Sequence, residues 1–274
     1  MLLNASGCLD ALAAPEVARS LDAFVTKTVT PEPREGNEPT RIAETDFGML
    51  NSIGLQNPGR DRFLTDVLPR LRELGRPLWV SVGGFSANEY AETCAALQNV
   101  TIELNLSCPN VDEAPESAAE IVAACRAATD LPLYAKLSPH LPDIAGAARA
   151  VEAAGVDGLS LVNTLRGLAF EERTLQPRLA RAIGGYSGPA LKPVALAAVY
   201  ACRRATSLPI VGMGGISNGR DAAEFVAAGA SAVALGTVLF TDPDAPARIR
   251  RELEGLAPAS VVPIATTEKD LHFS

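Results

Sequence analysis

Two lysines, two asparagines and a thiol fall where strands of an α/β protein would end. Residues 101–110 read Thr-Ile-Glu-Leu-Asn-Leu-Ser-Cys-Pro-Asn, a strand-like run stopped by Pro109, which has no backbone N–H to donate. This leaves Asn105 at the last strand position and Cys108 just beyond it. A free thiol titrates at about 8.5, so Cys108 suits a base once its surroundings lower that value or align the group. Lys27 lies inside a second strand-like run, residues 24–29, and Lys136 closes a third at 132–137. A lysine in a strand buried on both faces needs a partner or a purpose.

The residues at or just past each strand end are Ser6, Lys27, Gly83, Asn105, Lys136, Asn163, Gly215 and Thr237. Two later turns are glycine-rich, Val-Gly-Met-Gly-Gly-Ile at 211–216 and Ala-Leu-Gly-Thr at 234–237. Glycines let backbone N–H groups approach phosphate oxygens, and a following helix adds a favourable dipole. A third turn, Gly-Gly-Tyr-Ser-Gly-Pro at 184–189, is expected to close the same pocket. Lysines on this rim suit a ligand that becomes anionic, such as a reduced flavin. The plainer alternative is that each lysine pairs with an inward carboxylate. The only histidines are His140 and His272, which makes Cys108 the best-placed base.

The elements that must position these groups follow from periodicity. A very short apolar strand running into Asn-Ala-Ser-Gly is expected within 1–7, and further strands at 24–29, 78–83, 101–107, 132–137, 158–163, 209–214 and 232–236. Helices are expected near 14–21, 61–74, 87–97, 117–129, 143–154, 190–205, 219–228 and 244–256. Eight such units match an α/β (β/α)8 TIM barrel, with its active site at the C-terminal strand ends. Residues 30–60 are dense in Pro and Gly and read as a long loop inserted after strand 2. Within it, residues 48–55 are placed to lay Asn51 and backbone amides against a small polar ligand, or simply to cover the barrel mouth.

The chain has 274 residues, 47% hydrophobic and 20% charged, without a composition shift, so one domain over 1–274 is expected. A net charge of −8 without a basic block argues against nucleic acid or an anionic membrane as partner. Neither a long apolar run nor a signal-like N-terminus is present, making the cytoplasm the expected location. The five cysteines include no CxxC pair, so no metal site is expected; Cys94, Cys125 and Cys202 read as small buried helix residues.

Several of these segments resemble the class 1 dihydroorotate dehydrogenases, B type. They are Asn-Ala-Ser-Gly at 4–7, Val-Thr-Lys-Thr-Val-Thr at 25–30, Arg-Glu-Gly-Asn at 34–37, Leu-Asn-Ser-Ile-Gly-Leu-Gln-Asn-Pro-Gly at 50–59, Asn-Leu-Ser-Cys-Pro-Asn at 105–110, Lys-Leu-Ser-Pro at 136–139 and Val-Asn-Thr-Leu at 162–165. Gly-Gly-Tyr-Ser-Gly-Pro-Ala-Leu-Lys-Pro at 184–193 and the two glycine turns complete the likeness. It implies an FMN flavoprotein oxidising (S)-dihydroorotate to orotate in pyrimidine (UMP) biosynthesis. In that reaction hydride passes from C6 to flavin N5, and Cys108 takes the C5 proton.

By the same resemblance, substrate is held by Lys27, Asn51, Ile53, Gly54, Leu55, Asn105, Asn163 and Thr164. FMN is held by Ala5, Ser6, Lys27, Thr28, Asn105, Lys136, Val162, Gly188, Gly214, Gly215, Gly236 and Thr237. The resemblance further implies a homodimer and an electron-transfer subunit carrying FAD and an iron–sulfur cluster. The chain departs from the family after Asn110, where Val-Asp-Glu-Ala-Pro-Glu-Ser replaces a longer glycine-rich loop. Two other readings stay open: a flavin enzyme acting on another dihydropyrimidine or cyclic amide, and a non-redox phosphate-binding barrel.

Overall fold

The computed structural model describes residues 1–106 and 117–256. In chain order its strands are β1 (Leu2–Asn4), β2 (Phe24–Val25), β3 (Ile42–Thr45), β4 (Gly48–Asn51), β5 (Leu78–Val82), β6 (Thr101–Asn105), β7 (Leu133–Leu137), β8 (Gly158–Leu161), β9 (Leu165–Leu168), β10 (Ile183–Ser187), β11 (Ile210–Met213) and β12 (Ala232–Leu235). Eight of them form one parallel sheet in the order β1-β12-β11-β8-β7-β6-β5-β2. A parallel bridge from Leu3 to Ala23 brings the two ends together, so the sheet is the wall of a nearly closed (β/α)8 barrel.

Strand alternation splits the apolar residues into two cores. One lies between wall and helices and includes Ile102, Leu104, Leu133, Leu137, Leu159 and Phe225. The other fills the barrel and comprises Leu3, Ala23, Val25, Trp79, Val211, Met213, Ala232 and Ala234. Tyr134 packs tilted on Trp79, with ring centroids 4.4 Å apart. In β6 the same period of two puts Ile102 and Leu104 on the helix side and leaves Glu103 and Asn105 for the interior.

Strand 2 is shorter than the expected 24–29, and the reason bears on the site. Trp79 O and Ser81 O, two residues apart, accept from Thr26 N and Val29 N, three residues apart. One extra residue is thus bulged into the strand. Ser81 N, which would lack its regular partner, donates instead to Thr26 Oγ1 at 3.1 Å. The bulge resolves the oddity of a strand lysine, because Lys27 leaves the wall and is exposed to the space above it.

The expected helices form with ends shifted by a few residues. Residues 60–72 are helical, with a π turn over Phe63–Val67 just before Pro69, whose missing N–H interrupts the α-helical ladder. A capping box, Ser117 with Glu120, opens the helix Ala118–Ala128. Cys94, Cys125 and Cys202 are all fully buried.

Two expectations need correction. Residues 30–60 are not a plain loop: β3 and β4 form an antiparallel hairpin inside them. Residues 184–189 are not only a turn: β10 runs through Ile183–Ser187 and pairs antiparallel with β4 and β9. The result is a second, four-stranded sheet in the order β3-β4-β10-β9. β10 is glycine-rich because its neighbours are close: a Cβ on Gly184 would lie 2.6 Å from Asn51 O. A feature that looks like turn chemistry is a packing requirement.

Candidate active site

At the C-terminal ends of the barrel strands, beside the small sheet, lies a cavity of about 870 Å³, within the range of small-molecule and cofactor sites. Ala5, Ser6, Lys27, Thr28, Asn105, Lys136, Val162, Asn163 and Thr164 line it from the β1, β2 and β6–β8 strand ends. Gly214, Gly215, Gly236 and Thr237 line it from the ends of β11 and β12, Gly188 from the end of β10, and Asn51, Ile53 and Leu55 from the insertion. Gly54 is absent from the lining; its α-carbon faces Asn37, whose Oδ1 would lie 2.5 Å from an added Cβ. Cys108 lies outside the described residues, as do the departure after Asn110 and His272.

Amide side chains form a directed chain across the floor. Asn163 Nδ2 donates to Asn105 Oδ1 at 3.1 Å, and Asn105 Nδ2 donates to Thr28 Oγ1 at 3.0 Å. Thr28 Oγ1 in turn shares a hydrogen bond with Ser81 Oγ at 3.0 Å. Asn163 Oδ1 accepts from Thr164 N at 2.8 Å, and Asn105 O accepts from Tyr90 OH at 2.7 Å. Each amide is therefore locked in one orientation, with donor and acceptor edges fixed before any ligand arrives.

Residues 53–55 are held from behind. Ile53 O accepts from Asn37 N at 2.9 Å, Gly54 O from Arg34 Nε at 3.3 Å, and Leu55 O from Asn57 Nδ2 at 2.7 Å. The Arg34 guanidinium also stacks 4.7 Å over the Phe85 ring. Leu55 has a φ of +57°, rare for a leucine and costing on the order of 1 kcal/mol or more. Three separate scaffold donors hold this backbone, and strain sustained in that way is typical of ligand clamps.

The charged groups divide into two sets. Lys136 Nζ donates to Ser6 Oγ at 2.8 Å and lies 3.6 Å from Glu103 Oε1. Cys8 also lines the cavity; burial pushes its thiol up, while Lys136 and Lys27 pull it down. Behind the Gly215 turn and outside the lining, Lys192 is held by Asp221 at 2.6 Å and Glu224 at 2.8 Å, bonds that raise its pKa. Gly215 sits there with a φ of +79°, and a Cβ on it would lie 2.9 Å from both Gly188 O and Lys192 N. Only glycine fits that turn without moving the backbone.

Sequence reasoning missed Cys8, Asp242 and Arg248 in the lining and Glu103 beside Lys136, while Ser187 belongs to the 184–189 segment expected to close the pocket. Ser187 accepts from Thr237 Oγ1 at 2.9 Å, tying β10 to the β12 turn. Glu103 alone had a usable signal, since it shares strand parity with Asn105. The others reach the cavity through tertiary contacts with no local signature.

The family model described as Dihydroorotate dehydrogenase matches residues 1–256. Three curated relatives carry the name Dihydroorotate dehydrogenase B (NAD(+)), catalytic subunit. The protein of Listeria welshimeri is 45% identical over 81% of this chain and 77% of its own length. That of Geobacillus kaustophilus is 43% identical over 88% and 82%, and that of Halalkalibacterium halodurans 45% identical over 81% and 77%.

Proposed function

The chain belongs to the dihydroorotate dehydrogenase family, and we propose that it oxidises (S)-dihydroorotate to orotate with FMN. The observation that carries this reading is the convergence of Lys27, Asn105, Lys136 and Asn163 on one cavity with the Gly214–Gly215 and Gly236–Thr237 turns.

The residues present fit FMN. A Cβ on Gly236 would meet only Ala5 Cβ at 3.6 Å and Cys8 Sγ at 3.7 Å, ordinary contact distances. The protein therefore has no packing need for glycine there, and the space is suited to a ligand. Backbone N–H groups of the Gly215 and Gly236–Thr237 turns would take the phosphate. Ala5, Ser6, Thr28, Lys136, Val162, Gly188 and Gly214 would surround the rest, with Lys136 supplying positive charge. When bound, the flavin supplies the hydride acceptor for removal of hydrogen across a carbon–carbon bond.

The remaining chemistry is assigned to the chain itself. The fixed amide edges of Asn105 and Asn163, with Asn51 and Thr164, complement the ring amides of dihydroorotate. Lys27, raised out of the wall by the bulge, pairs with its carboxylate beside the backbone of residues 53–55. Cys108 Sγ takes the proton from C5, a role that rests on the family motif at 105–110. Packing of the substrate against this floor excludes water from the reacting carbons.

Partners are proposed on the same basis. A second subunit is supported by the name of the relatives, which is that of a catalytic subunit; that it transfers electrons through FAD and an iron–sulfur cluster rests on the motif resemblance alone. A homodimer is supported by Leu168, Phe170, Leu175 and Ile183, large apolar residues exposed on and beside the small sheet. Among the described residues no helix is long and apolar enough to cross a membrane.

The test is anaerobic bleaching. Purified protein is expected to be yellow and to lose its visible flavin absorbance on addition of dihydroorotate, but not of dihydrouracil. A yellow protein that dihydroorotate leaves unbleached would overturn the substrate assignment.

A further inference from the structure

Glu103 is 1% exposed, and its Oε1 has no hydrogen-bond partner among the described residues. A buried carboxylate in that state is costly and calls for a compensating cation. That cation is Lys136, on the neighbouring strand, at 3.6 Å, a separation suited to charge attraction rather than a hydrogen bond. The lysine's short bond goes the other way, to Ser6 Oγ at the cavity edge. By strand register Lys136 lies between Asn105 and Ser160, and the nearby Cys8 thiol feels the charges of Lys136, Lys27 and Glu103. Lys27 and Lys136 both line the cavity, and Glu103 lies beside Lys136.

We propose that Glu103 is a positioning residue of the cofactor site. Its carboxylate holds the Lys136 ammonium at the cavity floor and offsets its charge, so an anionic ligand there meets a weaker positive field than Lys136 alone would give. An interior glutamate is retained because it sets how strongly the site favours negative charge on the bound cofactor. This rests on the flavin reading above and adds to it a residue that touches neither substrate nor cofactor.

Sulfite titration of the oxidised holoenzyme measures that field, since sulfite adds to flavins as an anion and abolishes their visible absorbance. In Glu103→Gln, which keeps the shape and removes the charge, sulfite should bind about tenfold more tightly than in wild type. Glu103→Asp keeps the charge and should stay within about threefold of wild type. A residue that merely fills the barrel would give the reverse order, with the glutamine variant unchanged and the aspartate variant impaired. That order, or equal affinity in all three proteins, overturns the proposal. A wild-type chain that binds no flavin overturns the functional reading and this inference together, whereas flavin-replete variants with unaltered sulfite affinity overturn this inference alone.

Discussion

Residues 125–133 and 202–210 are two versions of one unit, Cys-Arg-Ala-Ala-Thr-Asp-Leu-Pro-Leu and Cys-Arg-Arg-Ala-Thr-Ser-Leu-Pro-Ile. Each is the end of a helix, the turn after it, and the first residue of the next barrel strand. The arginines do the same thing: Arg126 donates to the carbonyls of Thr129 and Leu131, and Arg203 to those of Thr206 and Leu208. The threonine hydroxyls accept from Leu131 N and Leu208 N. A later glycine packs on each arginine stem, Gly155 with φ +107° and Gly229 with φ +111°. Even the strand entries agree, Asp157 N donating to Leu133 O and Ser231 N to Ile210 O.

The likeness stops at the other end of the same strands. There the first unit presents Lys136 and, one strand on, Asn163; the second presents Gly214, Gly215 and Thr237. One end of the barrel repeats a turn that holds helix to strand, and the other is diversified into a charged, amide-rich half and a glycine-rich half. Substitutions at the two ends should therefore be felt in different measurements.

The largest effect is expected at the diversified end. Cys108→Ala should slow bleaching by dihydroorotate by about 10²- to 10⁴-fold while flavin content and thermal midpoint stay unchanged. Bleaching at the wild-type rate would remove Cys108 from the chemistry. Asn163→Ala takes the partner from Asn105 Oδ1 together with one amide edge, and should lower kcat/KM by about 10- to 100-fold. A fall in thermal midpoint with unaltered kcat/KM would instead make Asn163 a scaffold residue.

At the repeated end the expected pattern is the opposite. Arg126→Ala and Arg203→Ala each free two turn carbonyls, and each should cost about 1–3 kcal/mol, or roughly 3–8 °C of thermal midpoint. The two losses should resemble one another, and kcat/KM should stay within about twofold of wild type. A drop in kcat/KM in only one of them would break the equivalence of the two units.

The same contrast explains what the sequence could and could not reveal. The barrel wall was legible because its strands are short, apolar and separated by capped helices, signals carried within each segment. The small sheet was not, since β4 and β10 pair across the chain, Leu50 against Tyr186. Their strand character comes from that contact and not from propensity. Gly184 and Gly185 misled in a particular way, because a glycine required by close backbone approach looks identical to one required by a turn. At the site, Lys27 was visible as an anomaly, but the bulge that explains it depends on Trp79 and Ser81. Cys8 was concealed because it does not interrupt the pattern of its segment, whereas Glu103 was readable from its parity with Asn105.

The smallest effect tests the repeated end by pH. Asp22 precedes β2 and accepts from Leu2 N at 2.8 Å and from Arg250 Nη2 at 2.8 Å, joining the start of β1 to the last helix. Burial raises its pKa, but the Leu2 and Arg250 bonds outweigh this and leave it below the ordinary 3.8. A carboxyl depressed on folding contributes stability that is complete above its unfolded value and is lost as pH falls through the folded one. The side chain is 35% exposed, so with solvent screening the contribution is held to under about 1 kcal/mol. Asp22→Asn should accordingly unfold about 1–3 °C below wild type at pH 7, with the gap closing below about pH 4 and kcat/KM unaffected. A gap that persists unchanged at acid pH would assign the loss to packing of the amide and not to the charge that pins the strand start.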